Sequence, residues 1–312
     1  MLLVNILYSL YNNNVKKVED DNMLLGIILS IFVAILWSQG EVSYSKVSNK
    51  YNRTNIYMYT YLFRAFIYML VVLLFYRDLF GSFVFEQFIS ILPIILCDLF
   101  ASMVINVAVV NGKLSVVSPI MAAYPVLDIV LGYLLLNEIV HPLQFLLISI
   151  ICVTIVILAM NQKKNDKAPH PIKGIIFAII YMLLVSFSTF FEKNIYINDF
   201  TIFDLYYYKS MVYLLVSIMF GTIIFFSSKK MKCPKFDIVR GCAITPIGNV
   251  LYSYALTIGT ISIVAPISSL YSVITNITSR IVLKEKLTIT EKICVFSIII
   301  STLLLIVFGF VL

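Results

Sequence analysis

Ten stretches of the chain are apolar almost without interruption: 24–43, 56–76, 88–110, 114–136, 143–160, 172–191, 203–227, 238–257, 261–283 and 291–311. The hydrocarbon core of a bilayer is about 30 Å thick and takes about 20 helical residues to cross, so each stretch is long enough to span. Continuous apolar runs predict helices, because the strands of a membrane barrel alternate apolar and polar positions. The expectation is an all-α polytopic membrane protein with ten transmembrane helices. Residues 1–22 hold an apolar decamer followed by the polar run Asn12 to Asn22. That is too short to span, and it lacks the positive start and small-residue cleavage site of a secretory signal, so it reads as a polar N-terminal tail.

Composition narrows the class. Of 312 residues, 61% are hydrophobic and 12% charged, which excludes a soluble globular protein, and 14% are aromatic, which excludes a disordered one. The five cysteines stand singly, with no CxxC pair and no Cys/His cluster, so neither a disulfide framework nor a metal site is expected, and no cofactor. The net charge of +7 does not signal nucleic acid, because the basic residues lie in short connections and form no basic face. Sixteen Lys and Arg fall in the odd-numbered connections and four on the opposite side. The positive-inside rule then places the odd connections in the cytoplasm and both termini outside, in a cell (plasma or inner) membrane.

A shift of 147 positions aligns residues 112–138 with 259–285 and matches nine, among them Gly112/Gly259, Pro119/Pro266, Tyr124/Tyr271 and Glu138/Glu285. Shifts of 145 to 148 extend the match, pairing Arg64 with Lys209 and Gly26 with Gly174. The chain thus divides into a first repeat over 23–161 and a second over 172–312. Five helices is an odd number, so the second repeat must enter the membrane upside down. Inverted repeats of this kind place a site at the midplane between the halves and alternate access around it.

Both halves resemble the EamA domain of the drug/metabolite transporter superfamily. The resemblance rests on Trp37-Ser38-Gln39-Gly40, Arg64, the step Asn111 to Ser115, Pro119, and the helix-ending Leu135-Leu136-Asn137-Glu138. The chain departs from the family pattern at Tyr124, Asn137 and Ser272. The resemblance implies ten helices in two inverted repeats and exchange of a small metabolite across a membrane, and leaves the substrate open.

A charge at mid-bilayer is expensive unless it faces protein or water, so each is a candidate functional group. The spans hold Glu41, Arg64, Asp98, Asp128 and Lys209, with Glu138, Glu192, Arg280 and Glu285 nearer helix ends. Helical spacing groups Ser38, Glu41 and Ser45; Asp98, Ser102 and Asn106; and Tyr124 with Asp128. The second repeat answers with Ser186, Thr189 and Lys193; Thr245, Asn249 and Ser253; and Tyr271, Thr275 and Ser279. The three acids Glu41, Asp98 and Asp128 align with Thr189, Thr245 and Thr275. The stripes predict one central cavity, with Asp98, Asp128, Glu41, Asn106, Trp37, Tyr124, Arg64, Lys209, Asn249, Tyr271 and Thr275 as candidate substrate-binding or coupling residues. Two readings compete for each acid: a pathway group, or a buried pair with Arg64 or Lys209 that fixes helix packing. Arg64 and Lys209, flanked by tyrosines, either touch substrate or pack on rings. Glu138 and Glu285 read as structural groups at helix ends, His141 and His170 as solvated loop residues, and Asp199 and Asp204 as groups suited to a helix N-terminus.

These features imply a secondary active transporter, not an enzyme, that moves a small polar metabolite (an amino acid, an amine or a related zwitterion or cation) by alternating access. The expected partners are that small molecule, the lipid bilayer and protons as coupling ion, with no nucleic acid, and a monomer is the default. No GxxxxGK[ST] motif for ATP-driven pumping is present. The alternatives are a membrane enzyme acting on a lipid-linked substrate, whose loops would carry clustered acids, and a receptor or scaffold, which needs no acid at mid-membrane.

Overall fold

A computed structural model of the chain describes residues 24–46, 51–76, 83–135, 142–160, 169–198, 200–227, 236–284 and 287–311. Among these residues there is no strand, and helices occupy all ten apolar stretches. They are α1 (Leu24–Lys46), α2 (Arg53–Phe75), α3 (Phe85–Asn111), α4 (Leu114–Met121), α5 (Pro125–Leu135), α6 (Pro142–Met160), α7 (Pro171–Ile197), α8 (Ile202–Phe226), α9 (Phe236–Ile258), α10 (Ile261–Ser269), α11 (Tyr271–Val282) and α12 (Ile289–Val311). Six stretches combine the length and apolarity of a membrane crossing: α1, α2, α3, α4 with α5, α7 and α8. The tail over 1–22 and the candidates Glu138, His141, Asp199 and Glu285 lie outside the described residues.

Two of the ten stretches are not single helices. The fourth apolar stretch of each repeat breaks at its middle, between α4 and α5 and between α10 and α11. Pro119 and Pro266 sit inside the first segments, where each lacks the N–H that would continue the hydrogen-bond ladder. In the first repeat a second proline, Pro125, also disfavours helical geometry at Tyr124, and three residues, 122–124, form the turn. Ser272 stands at the equivalent place in the second repeat, and there the turn shrinks to Leu270.

Equivalent helices of the two repeats run antiparallel, which is the mark of inversion. Along α2 and α8 the ring contacts pass from Tyr57 with Phe220, through Tyr61 with Tyr213 and Tyr68 with Tyr206, to Phe75 with Phe203. One helix counts up as the other counts down. The contacts between non-equivalent helices of the two repeats are antiparallel as well: α3 on α7, where Asp98 meets Ser188 and Gly112 meets Gly174, and α1 on α9, where Trp37 meets Asn249 and Gly40 meets Thr245.

Two glycine contacts set how closely these pairs approach. A Cβ on Gly174 would stand 2.7 Å from both the nitrogen and the Cα of Gly112, so α3 and α7 touch backbone to backbone. A Cβ on Gly40 would collide with the Thr245 hydroxyl on α9. Small residues allow such approach, and in a bilayer close packing does the work that the hydrophobic effect does in water. The outward faces are apolar, with Phe66, Phe100, Leu215, Phe225, Phe226 and Phe296 each more than half exposed. Polar groups are kept inside, and α4 is buried along its whole length.

One buried ion pair ties the repeats near their ends. Lys113, between α3 and α4, donates to both oxygens of Glu291 at the start of α12, at 2.7 and 2.8 Å. Lys113 belongs to the loop-charge count of the sequence, yet it is sequestered here. At the start of α8, Thr201 and Asp204 form a reciprocal cap, the N-terminal role expected of Asp204.

Candidate functional site

The crossing pairs leave a cavity of about 130 Å³ between the two repeats. It is lined from α1, α2, α3, the α4–α5 turn, α7, α8, α9 and α11. Each lining position is a consequence of helical phase. On α1 the face is Trp37, Gly40, Glu41 and Tyr44; on α3 it is Asp98, Ala101, Ser102 and Ile105; on α9 it is Thr245, Asn249, Tyr252 and Ser253 with Gly241 and Cys242. These spacings of three and four residues describe one side of a helix.

Five ionisable groups besides tyrosines and one cysteine reach this space: Glu41, Arg64, Asp98, Glu192 and Lys209. Three of them form one cluster. Lys209 Nζ lies 2.7 Å from Asp98 Oδ2 and 3.5 Å from Glu192 Oε2. Asp98 also accepts from Ser188 at 2.7 Å and from the Tyr213 hydroxyl at 3.5 Å, while Glu192 accepts from Tyr196 at 2.9 Å. Arg64 lies within electrostatic reach of Asp98 but makes no ion pair with it. Its Nη1 donates to the Ser102 hydroxyl, and its guanidinium carbon is 6.0 Å from the centre of the Tyr213 ring. Glu41 accepts a 2.6 Å hydrogen bond from Ser118, and the hydroxyls of Thr275 and Tyr271 reach toward the same carboxylate.

Aromatic groups form the rest of the wall. Trp37 packs against Tyr252 at 5.0 Å and against the edge of Tyr271 at 5.8 Å between ring centres. Its indole N–H donates to Asn249 Oδ1, and Asn249 in turn donates to the Tyr68 hydroxyl, both at 2.9 Å. Tyr124, in the α4–α5 turn, donates across the repeat boundary to the Ala265 carbonyl at 3.0 Å. The wall therefore offers ring faces, hydroxyls and charges of both signs around one shared, partly open space.

Of the sequence candidates, Glu41, Trp37, Arg64, Asp98, Tyr124, Lys209, Asn249 and Tyr271 line the cavity, whereas Asp128, Asn106 and Thr275 do not. Asp128 is fully buried and accepts from Ser186 on α7, so it holds α5 to α7. Asn106 lies one turn beyond Ser102, where α3 is already covered. Thr275 sits behind Glu41, against the carboxylate and not against the void.

On α7 the sequence stripe Ser186, Thr189 and Lys193 is rotated from the true lining, which is Tyr181, Val185, Ser188, Thr189 and Glu192. Ser186 turns to Asp128, and Lys193 donates to the carbonyls of Leu256 and Gly259 at the end of α9. A helix turns about 100° per residue, so a stripe misjudged by one position moves to a neighbouring face. Glu192, taken as a helix-end group, proves to be a cavity carboxylate. Its spacing of four from Ser188 and eleven from Tyr181 was the available signal.

The model of the EamA-like transporter family matches residues 24–160 and 172–307 of the chain. The chain is therefore a multi-pass membrane protein of a transporter family, and its two matched segments are the two repeats. Among solved structures, 27 chains match. One crystal structure superposes with a TM-score of 0.62 at 11% sequence identity, over 89% of this chain and 94% of that one, a likeness of fold. A search of curated protein sequences finds no match.

Proposed function

The chain belongs to the EamA-like transporter family, and from that premise we infer that it is a secondary active transporter of a small polar metabolite. The observation that carries this reading is the cavity itself, set between antiparallel repeats and lined by Glu41, Arg64, Asp98, Glu192 and Lys209. A purely structural bundle gains nothing by gathering five charges around a void, since each costs desolvation. In this reading the ten helical stretches make ten crossings, with the odd connections and their basic residues in the cytoplasm. The broken fourth crossings supply hinges, and access alternates as one repeat rocks against the other.

Protons are the coupling ion of this reading. Asp98 has a lysine at ion-pair distance and Glu41 has only hydroxyls, so Glu41 is the carboxylate best placed to exchange a bound proton for substrate. The test is uptake and counterflow in proteoliposomes with pooled labelled amino acids, amines and nucleosides, with and without a proton gradient, in wild type and in Glu41→Gln. Movement of one pool that the gradient drives only in wild type is the expected result. Failure of all pools through a folded, monodisperse protein would sink the reading.

A further inference from the structure

We propose that the cavity reads a compact zwitterion, with Arg64 taking the substrate's carboxylate and Glu41 its ammonium group. The proposal rests on the transporter reading and sharpens it, because amines and other simple cations are then excluded.

The argument begins with which charges are already engaged. Lys209 serves Asp98 and Glu192 together, so both carboxylates of that cluster already have a cation at ion-pair distance. Arg64 and Glu41 remain. Among the described residues no carboxylate lies within ion-pair distance of Arg64, and no cation within ion-pair distance of Glu41. Arg64 Nε is buried without a hydrogen-bond partner, and Ser102 takes only one of the four other N–H groups. A buried guanidinium with unspent donors gains from an incoming carboxylate, which offers two oxygens in matching geometry. Ser118 donates to the Glu41 carboxylate without neutralising it, and the Thr275 and Tyr271 hydroxyls lie nearby.

Both groups face the same void, and Tyr181 on α7 lies within electrostatic reach of Glu41 and of Arg64. A single small molecule can therefore meet both. A cavity of about 130 Å³ is comparable with the roughly 150 Å³ space known to hold benzene, which restricts the occupant to a compact molecule. A monoamine would satisfy Glu41 and leave Arg64 unpaired. A monocarboxylate would do the reverse, and a phosphate would bring more negative charge into a space already holding three carboxylates. Discrimination of this kind comes from leaving a buried site group unsatisfied.

The experiment is counterflow by the full-length wild-type protein in proteoliposomes, with four separate labelled pools. They are L-amino acids, the amines formed from them by decarboxylation, the carboxylic acids lacking their amino group, and a mixed pool of sugars and nucleosides. The amino-acid pool is expected to exchange, with amines and acids competing at least about tenfold more weakly. Arg64→Gln is expected to erase the preference for amino acid over amine, and Glu41→Gln the preference for amino acid over acid. Because the pool comparison uses wild type, it decides the matter even where a variant does not fold. Amines exchanging as well as amino acids would overturn the zwitterion assignment and leave the transporter reading intact, as would exchange of the sugar and nucleoside pool alone. No exchange of any pool would overturn both.

Discussion

Lys209 Nζ stands 2.7 Å from Asp98 Oδ2, joining α8 to α3 with an ion pair whose lysine is almost wholly buried. Removing one partner of such a pair leaves an uncompensated charge and costs about 3–5 kcal/mol. Asp98→Asn is therefore expected to lower the thermal unfolding midpoint of the purified protein, though Glu192 moderates the loss by remaining near Lys209. Because Lys209→Met alone would strand the buried Glu192, the triple variant Asp98→Asn, Lys209→Met and Glu192→Gln should recover a large part of the stability. A triple variant no more stable than Asp98→Asn would show that the three side chains are not energetically coupled.

Contact between Gly112 and Gly174 makes a sharper steric prediction. A methyl group at 174 would press on backbone atoms of α3 at 2.7 Å, and backbone cannot rotate away. Gly174→Ala should destabilise by about 1–3 kcal/mol. Gly221→Ala, whose new Cβ would meet only the Met58 sulfur at 3.7 Å, is expected to be tolerated. Thermal unfolding of the two variants side by side checks both.

Lys113 and Glu291 offer a test of the cross-repeat tie. Glu291 also accepts from the Thr288 backbone N–H at 2.8 Å, so it anchors the start of α12 as well as the lysine. Lys113→Met should cost about 3–5 kcal/mol by stranding the buried carboxylate. Lys113→Met with Glu291→Gln should be milder, since a neutral amide can still accept from Thr288. Unfolding midpoints of single and double variants give the coupling directly.

Trp37 is the chain's one tryptophan, so its emission reports on the cavity wall without labelling. Asn249→Leu removes the acceptor for its indole N–H and the donor to Tyr68. The expected results are a blue-shifted emission maximum and a loss of about 1–3 kcal/mol from unsatisfied buried groups. An unchanged spectrum would mean that the indole does not depend on Asn249.

Substrate binding should register at the same tryptophan. Titration of the wild-type protein with its transported pool is expected to change Trp37 fluorescence saturably, and Glu41→Gln should weaken the apparent affinity at least about tenfold, in line with losing a charge-assisted contact.

Much of the architecture was legible along the chain because apolarity over about 20 residues is a local property. The ten helical stretches, the repeat and its inversion follow from run length, a 147-residue shift and an odd helix count. Prolines 119, 125 and 266 were visible as kinks, but that the fourth stretch of each repeat breaks into two helices depends on what packs around the turn. The candidate site was partly legible too, since Glu41, Asp98, Arg64, Lys209 and Asn249 are polar residues in apolar runs.

What the chain could not disclose is which neighbour each polar group meets. Ser186 and Ser188 differ by two positions on one helix, yet one holds Asp128 in the packing and the other holds Asp98 at the cavity. That sorting depends on how α7 is turned between α3 and α5, and the contact of Gly174 with Gly112 fixes how closely α7 and α3 approach. Likewise Lys209 and Asp98 are 111 positions apart, and only the antiparallel crossing of the repeats brings them together. By itself the sequence determined where helices form and that charges lie inside them, because burial and periodicity are written locally. The tertiary structure decided which charges neutralise one another and which, Arg64 and Glu41, are left facing the void, because pairing depends on distances between helices that no single segment encodes.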